Sequence, residues 1–172
     1  TLLDLGCGLH EQTLRNNPNQ TSPIYLGEKG ANRVIAIDML QSDIDFFKRK
    51  LNLANIINYG HVPNFQLNSI LNKCDVFATA TLSEGFAMVI NQAIASGCPV
   101  IVTENSGAKE YVEQNNCGFV VPIRNSQIIS DKLTLLLDDK NLLKKFSINS
   151  KNSGNLNTWN KYVDRLDTFL DI

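Results

Sequence analysis

The chain has 172 residues, enough for one ordinary domain or one domain plus a fragment, with 43% hydrophobic and 19% charged residues as in a soluble globular protein. A formal net charge of −1 excludes the basic footprint of a nucleic-acid or anionic-membrane binder, and Lys29, Lys48, Arg49 and Lys50 form only small clusters that read as a solvated helix face. No apolar run approaches the ~20 residues of a bilayer span, no signal-peptide pattern is visible, and a start at Thr1 inside an apparent strand suggests part of a longer product. Cys7, Cys74, Cys98 and Cys117 are scattered without a Cys-x-x-Cys pair. They fit a reduced cytosolic interior better than a disulfide framework or a zinc site, and no metal cluster is expected.

In chain order, the pattern predicts a strand over Thr1–Leu5 and a turn at Gly6-Cys7-Gly8. An Asn- and Pro-rich loop spans 15–23, and a buried strand, Val34–Ile37, ends at Asp38. Ser42–Leu53 reads as a helix, with Ser42 as its cap and Ile44, Phe47 and Leu51 on one face. A strand at Ile56–Tyr59, a turn at Gly60–Pro63 and a helix at Phe65–Cys74 lead to a strand at Asp75–Ala80. Helix Ala87–Ser96, with Met88, Val89, Ile90 and Ile94 as core, is stopped by Gly97. Pro99 opens the strand Val100–Thr103, and the turn Asn105–Gly107 leads into a further helix bearing Glu110 near its start. Then come a strand at Phe119–Pro122, a helix over Gln127–Leu137 capped by Ser126, and a helix over Asn141–Phe146. A last helix, about Thr158–Leu170, has Trp159 as packing anchor in an apolar stripe. Strands alternating with helices imply an α/β fold with a parallel sheet.

The segment Ser83–Gln92 carries the chemistry. Ser83 occupies an expected N-cap position, so the amides after it would point outward. Gly85 has no Cβ and admits a ligand close to the backbone. The partial positive charge of a helix start suits a diphosphate, and Glu84 can accept hydrogen bonds from sugar hydroxyls. Gln92, eight residues on, would lie ~12 Å away along a helix axis, on roughly the same side. The turn amides of Ser106 and Gly107 offer a further phosphate contact.

Residues 56–172, about two thirds of the chain, resemble the C-terminal, nucleotide-sugar-binding domain of GT-B glycosyltransferases of the family 4 (glycosyl transferases group 1) type. The matching pieces are Gly60-His61-Val62-Pro63, Cys74-Asp75-Val76-Phe77, Ser83-Glu84-Gly85-Phe86, Gly97-Cys98-Pro99-Val100-Ile101, Ser106-Gly107-Ala108-Lys109-Glu110 and Gly118-Phe119-Val120-Val121-Pro122. The resemblance implies a Rossmann-like parallel sheet with helices on both faces, and retaining transfer of a sugar from a nucleotide diphosphate donor without further cofactor. It implies Glu84 as the catalytic-site carboxylate of a Glu-x7-Glu motif. The donor would be held by Gly85, Phe86, Ala87, Gln92, His61, Val62, Ser106 and Gly107. Gln92 departs from the second glutamate, which binds ribose in the family, and forgoes a charge-assisted bond. The implied partners are a nucleotide sugar, an acceptor glycan or lipid-linked glycan, and an acceptor-binding domain not recognisable in these residues. The implied location is cytoplasmic, with peripheral association at the inner membrane face as an option, in cell-envelope polysaccharide assembly.

The first fifty residues resemble something else. Leu2-Leu3-Asp4-Leu5-Gly6-Cys7-Gly8 and Gly30–Asp38 are similar to the opening motifs of a class I S-adenosylmethionine-dependent methyltransferase. Gly6, Gly8 and Asp38 would then face S-adenosylmethionine. His10 stands where a further glycine is usual. Val34–Asp38 and the following helix and strand equally fit the glycosyltransferase pattern, with Lys29 as a loose echo of a phosphate-contacting lysine. The expected organisation is a methyltransferase-like segment at 1–50, serving the same sheet, and a donor-binding domain at 51–172. The alternatives are a methyltransferase fragment and a degenerate, non-catalytic glycosyltransferase module.

Overall fold

Short runs rich in Val, Ile and Leu become strands. In the computed structural model, which describes residues 2–5, 34–37, 56–60, 62–155 and 158–170, they are β1 (Leu2–Leu5), β2 (Val34–Ile37), β3 (Ile56–Gly60), β4 (Val76–Ala78), β5 (Val100–Thr103) and β6 (Gly118–Val121). All pair in parallel, in the order β3-β2-β1-β4-β5-β6. This is the doubly wound, Rossmann-like order, and its topological switch point lies between β1 and β4. Leu2 pairs with both Val34 and Val76, so the amino-terminal strands and the central motif share one sheet. The expected helix over 42–53, and Asp38, lie outside the described residues.

Helices α1 (Asn64–Leu71), α2 (Met88–Ala95), α3 (Lys109–Asn115), α4 (Ser126–Asp138), α5 (Lys140–Gly154) and α6 (Trp159–Leu170) complete the described elements. β4 and β5 are buried along their whole length, as parallel strands covered on both faces must be. Alternate side chains go to opposite faces. Phe77, Val100 and Val102 pack with Leu71, Ile90 and Ile94 of α1 and α2. Val76, Ala78 and Ile101 pack with Ile129, Leu136 and Phe146 of α4 and α5.

Three expectations fail here for identifiable reasons. α5 runs to Gly154, well past Phe146. Its small polar residues look like loop, but they bond strand ends: Ser147 Oγ donates to the Gly97 carbonyl at 2.8 Å and Ser150 Oγ to that of Cys117 at 3.3 Å. The cap of α4 is Asn125, whose side-chain oxygen accepts from the Ile128 amide at 3.1 Å, not Ser126. Trp159 is 72% exposed and meets Tyr162 edge-on, so it anchors no packing among the described residues.

Three of the four cysteines are described, and none of the three is in a disulfide. Cys98 Sγ lies 3.1 Å from the Cys74 carbonyl and 3.3 Å from that of Leu71, where α1 hands over to β4. Burial, then the nearby Cys74 and Asp75, push its thiol up to about 12, and burial pushes Cys117 to about 11. A folded-state pKa above the ordinary 9.0 means the folded protein holds the proton more tightly. That stability is fully present below about pH 9 and is lost as pH rises toward 12. Urea midpoints should therefore fall from about pH 9 upward, with a shallower decline in Cys98→Ala. Parallel declines in the two proteins would exclude Cys98 as a source.

Candidate active site

The sheet topology directs attention to the carboxyl ends of β1 and β4, because ligands of open α/β sheets bind at the switch point. The chain leaving β4 extends its pairing through Thr79, whose amide donates to the Ile101 carbonyl at 2.9 Å. Beyond it, Thr103 Oγ1 donates to the buried Thr81 carbonyl at 2.7 Å, leaving the Thr81 hydroxyl to donate to Thr103 Oγ1 at 3.3 Å. Asn105 Nδ2 donates to the Leu82 carbonyl at 3.1 Å. The loop after β4 is thus bonded along its length to the strand end and turn after β5.

Glu84 sits at the tip of this arrangement. Its amide donates to Asn105 O at 3.2 Å, and its carbonyl accepts from Gly107 N at 2.9 Å. The two loops form an isolated parallel bridge between Glu84 and Ser106. The backbone of Glu84 is therefore held on both sides while its side chain is exposed. Its carboxylate makes no hydrogen bond or ion pair among the described residues. Beside it, a Cβ on Gly85 would find nothing within 4 Å, so that backbone faces open space. The amides of Gly85 and Phe86 have no backbone acceptor among the described residues. Phe86 is fixed edge-on against Tyr111, with ring centroids 5.8 Å apart, and the Tyr111 hydroxyl donates to the Ser153 carbonyl at 2.8 Å. Burial raises the Tyr111 pKa above its ordinary value, so it stays a neutral donor.

Several expected details differ. α2 starts at Met88 with Ala87 as a cap that makes no side-chain bond, so Ser83 caps nothing. The Ala87 amide is used by the Gly85 carbonyl at 3.0 Å. Glu84 lies before the helix, so its separation from Gln92 does not follow helical rise. Met88 is 61% exposed, not core. The Ser106 and Gly107 amides expected to meet a phosphate are committed to Thr103 O and Glu84 O. Gly107 instead allows close approach of the two loops: a Cβ there would stand 3.0 Å from Phe86 N and Gly85 C. Val62 turns its side chain into the core. Gln92, half-buried on α2, donates from Nε2 to Asn64 Oδ1 at 2.7 Å. His61, Gly6, Gly8 and Asp38 lie outside the described residues. No pattern in the sequence marks Asn64, Asn105 or Tyr111, because each acts through a partner distant in the chain.

Among the described residues no three His, Cys, Asp or Glu side chains converge as a metal site would require. A cleft of about 440 Å³ lined by residues including Cys74, Asp75, Lys140 and Lys144 opens near the amino-terminal ends of β4 and β5, away from Glu84.

The sequence profile of glycosyl transferases group 1 matches residues 42–153. The chain belongs to this family. It is 27% identical over 176 residues to an uncharacterized glycosyltransferase of Methanocaldococcus jannaschii, covering 91% of the chain and 49% of that relative. It is 26% identical over 171 residues to the Escherichia coli UDP-Gal:alpha-D-GlcNAc-diphosphoundecaprenol alpha-1,3-galactosyltransferase, covering 89% of the chain and 43% of that relative. Its fold superposes on Anabaena HepE in complex with UDP and glucose with a TM-score of 0.75 at 18% identity, over 99% of the chain and 48% of HepE. The chain thus spans about half the length of these proteins. No methyltransferase is among these matches, and the methyltransferase resemblance of residues 1–50 finds no support in them. Among the described residues no helix is long and apolar enough to cross a membrane.

Proposed function

We propose that this chain is the donor-binding half of a retaining hexosyltransferase that uses a nucleotide diphosphate sugar. The observation that carries the reading is the unpartnered Glu84 carboxylate, held by its backbone next to the open Gly85 and the free amides of Gly85 and Phe86. A sugar has hydroxyls for the carboxylate. A departing diphosphate has negative charge for amides already in place, which need no reorganisation when that charge develops. Glu84 positions the donor sugar and does not act as general base. Gln92 faces the ribose. The donor reading is supported by HepE, solved with UDP and glucose.

The E. coli relative acts on a diphosphoundecaprenol-linked sugar. By analogy the acceptor is a lipid-linked glycan, bound by a separate domain and met at the cytoplasmic face of the membrane. β1 and β2 lie inside the same sheet as β4, which supports reading the amino-terminal strands as part of the donor-binding unit.

A thermal-shift panel tests this. A ligand that binds only the folded state at a hundred times its Kd adds about 2.7 kcal/mol of stability. UDP- or GDP-sugars should raise the melting temperature, and S-adenosylmethionine should not. A response to S-adenosylmethionine alone would favour the methyltransferase alternative, with Gly6, Gly8 and Asp38 as its candidate residues. Silence to every nucleotide sugar and to S-adenosylmethionine would favour the non-catalytic one.

A further inference from the structure

Gln92 occupies the position where an acceptor-only carboxylate would serve the donor's ribose, and a carboxamide is a weaker choice because it carries a donor and an acceptor at one end. If its NH2 faced the ribose as freely as its oxygen, hydroxyl donors would be refused half the time. The structure removes that ambiguity. Gln92 Nε2 donates to Asn64 Oδ1 at 2.7 Å, so the nitrogen is drawn toward α1 and Oε1 is left over for another donor. Asn64 is the first residue of α1, immediately after Val62-Pro63. One turn further, Ser96 Oγ donates to Asn68 Oδ1 at 2.9 Å, which keeps α1 and α2 in register and Asn64 at the same height as Gln92.

We infer that Asn64 is a positioning residue for nucleotide recognition: it orients the Gln92 carboxamide so that its carbonyl oxygen accepts a hydrogen bond from a ribose hydroxyl. The pair Asn64–Gln92 then does what a glutamate alone would do, without the charge. This rests on the donor-site reading above, specifically on Gln92 facing the ribose.

The test compares Kd values, by calorimetry on the whole chain, for UDP and 2′,3′-dideoxy-UDP, and for GDP and its dideoxy counterpart. The ratio of dideoxy to ribose Kd isolates the hydroxyl contact. One net hydrogen bond predicts a ratio of about five to ten in the wild type. Asn64→Ala should bring it below about two. Asn64→Asp, whose carboxylate still accepts from Nε2, should retain it. Gln92→Glu and the double variant Gln92→Glu/Asn64→Ala should both retain it, because a carboxylate presents oxygen whichever way it turns. A merely structural clamp between α1 and α2 would instead act equally in both backgrounds and would show in the melting temperatures. The inference is overturned if Asn64→Ala keeps the wild-type ratio, or if the double variant loses it too. A different result identifies failure of the underlying reading: if neither nucleotide binds, or Gln92→Ala leaves the ratio unchanged, Gln92 does not face a ribose and the inference falls with that reading.

Discussion

Glu84→Ala is expected to abolish sugar transfer by the full-length enzyme, with a loss of at least about 10²-fold in kcat/KM, since misplacing a reacting group by one ångström already costs that much. The fold should not notice. The side chain is exposed and bonds nothing among the described residues, while the Glu84 backbone bonds to Asn105 and Gly107 do not involve it. An unchanged melting temperature with lost turnover is therefore the expected pair of results. Glu84→Gln should retain part of the activity, because a carboxamide still accepts from one hydroxyl. Full activity in Glu84→Ala would remove this residue from the mechanism.

Gly118→Ala is expected to be the most damaging single methyl in the described part of the molecule. A Cβ there would stand 1.8 Å from the Val100 carbonyl oxygen and within 3 Å of two more atoms of the Val100 backbone, across the β5–β6 pairing. Backbone cannot rotate aside as a side chain can, so β6 must detach or shift. Overpacking typically costs 1–3 kcal/mol and sometimes more, and this contact belongs at about 3 kcal/mol or beyond, read from urea unfolding. The damage should reach the site, because β5 carries the turn that holds Glu84. Gly85→Ala is the control. Nothing lies within 4 Å of its added methyl, so stability should change by less than about 1 kcal/mol. Equal effects at Gly118 and Gly85 would contradict this geometry.

Much of the fold is legible in the sequence because parallel strands advertise themselves. Val34–Ile37 and Val100–Thr103 are apolar runs bounded by turn residues, and both are strands with the predicted limits. α2 is shorter than predicted by one residue at each end. Less legible is whatever depends on a distant partner. The serines of α5 resemble a loop until the carbonyls of Gly97 and Cys117 are placed beneath them. Ser83 is a good cap by type but has no helix directly after it, because the loop is pulled toward Asn105 and Ser106 instead. Ser106 and Gly107 lie beside Glu84. Yet their amides hold that loop and are not left free, a distinction only three-dimensional pairing can make. The exposed stripe of α6 shows the limit of periodicity: the pattern predicts an apolar face, and nothing in it says what the face meets.

The most direct test of the donor-site account is a crystal structure of this chain with the nucleotide sugar that gives the largest thermal shift. The account predicts sugar hydroxyls within hydrogen-bonding distance of the Glu84 carboxylate and diphosphate oxygens against the Gly85 and Phe86 amides. A ligand bound elsewhere, such as in the cleft between Asp75 and Lys144, with Glu84 left in solvent, would contradict it.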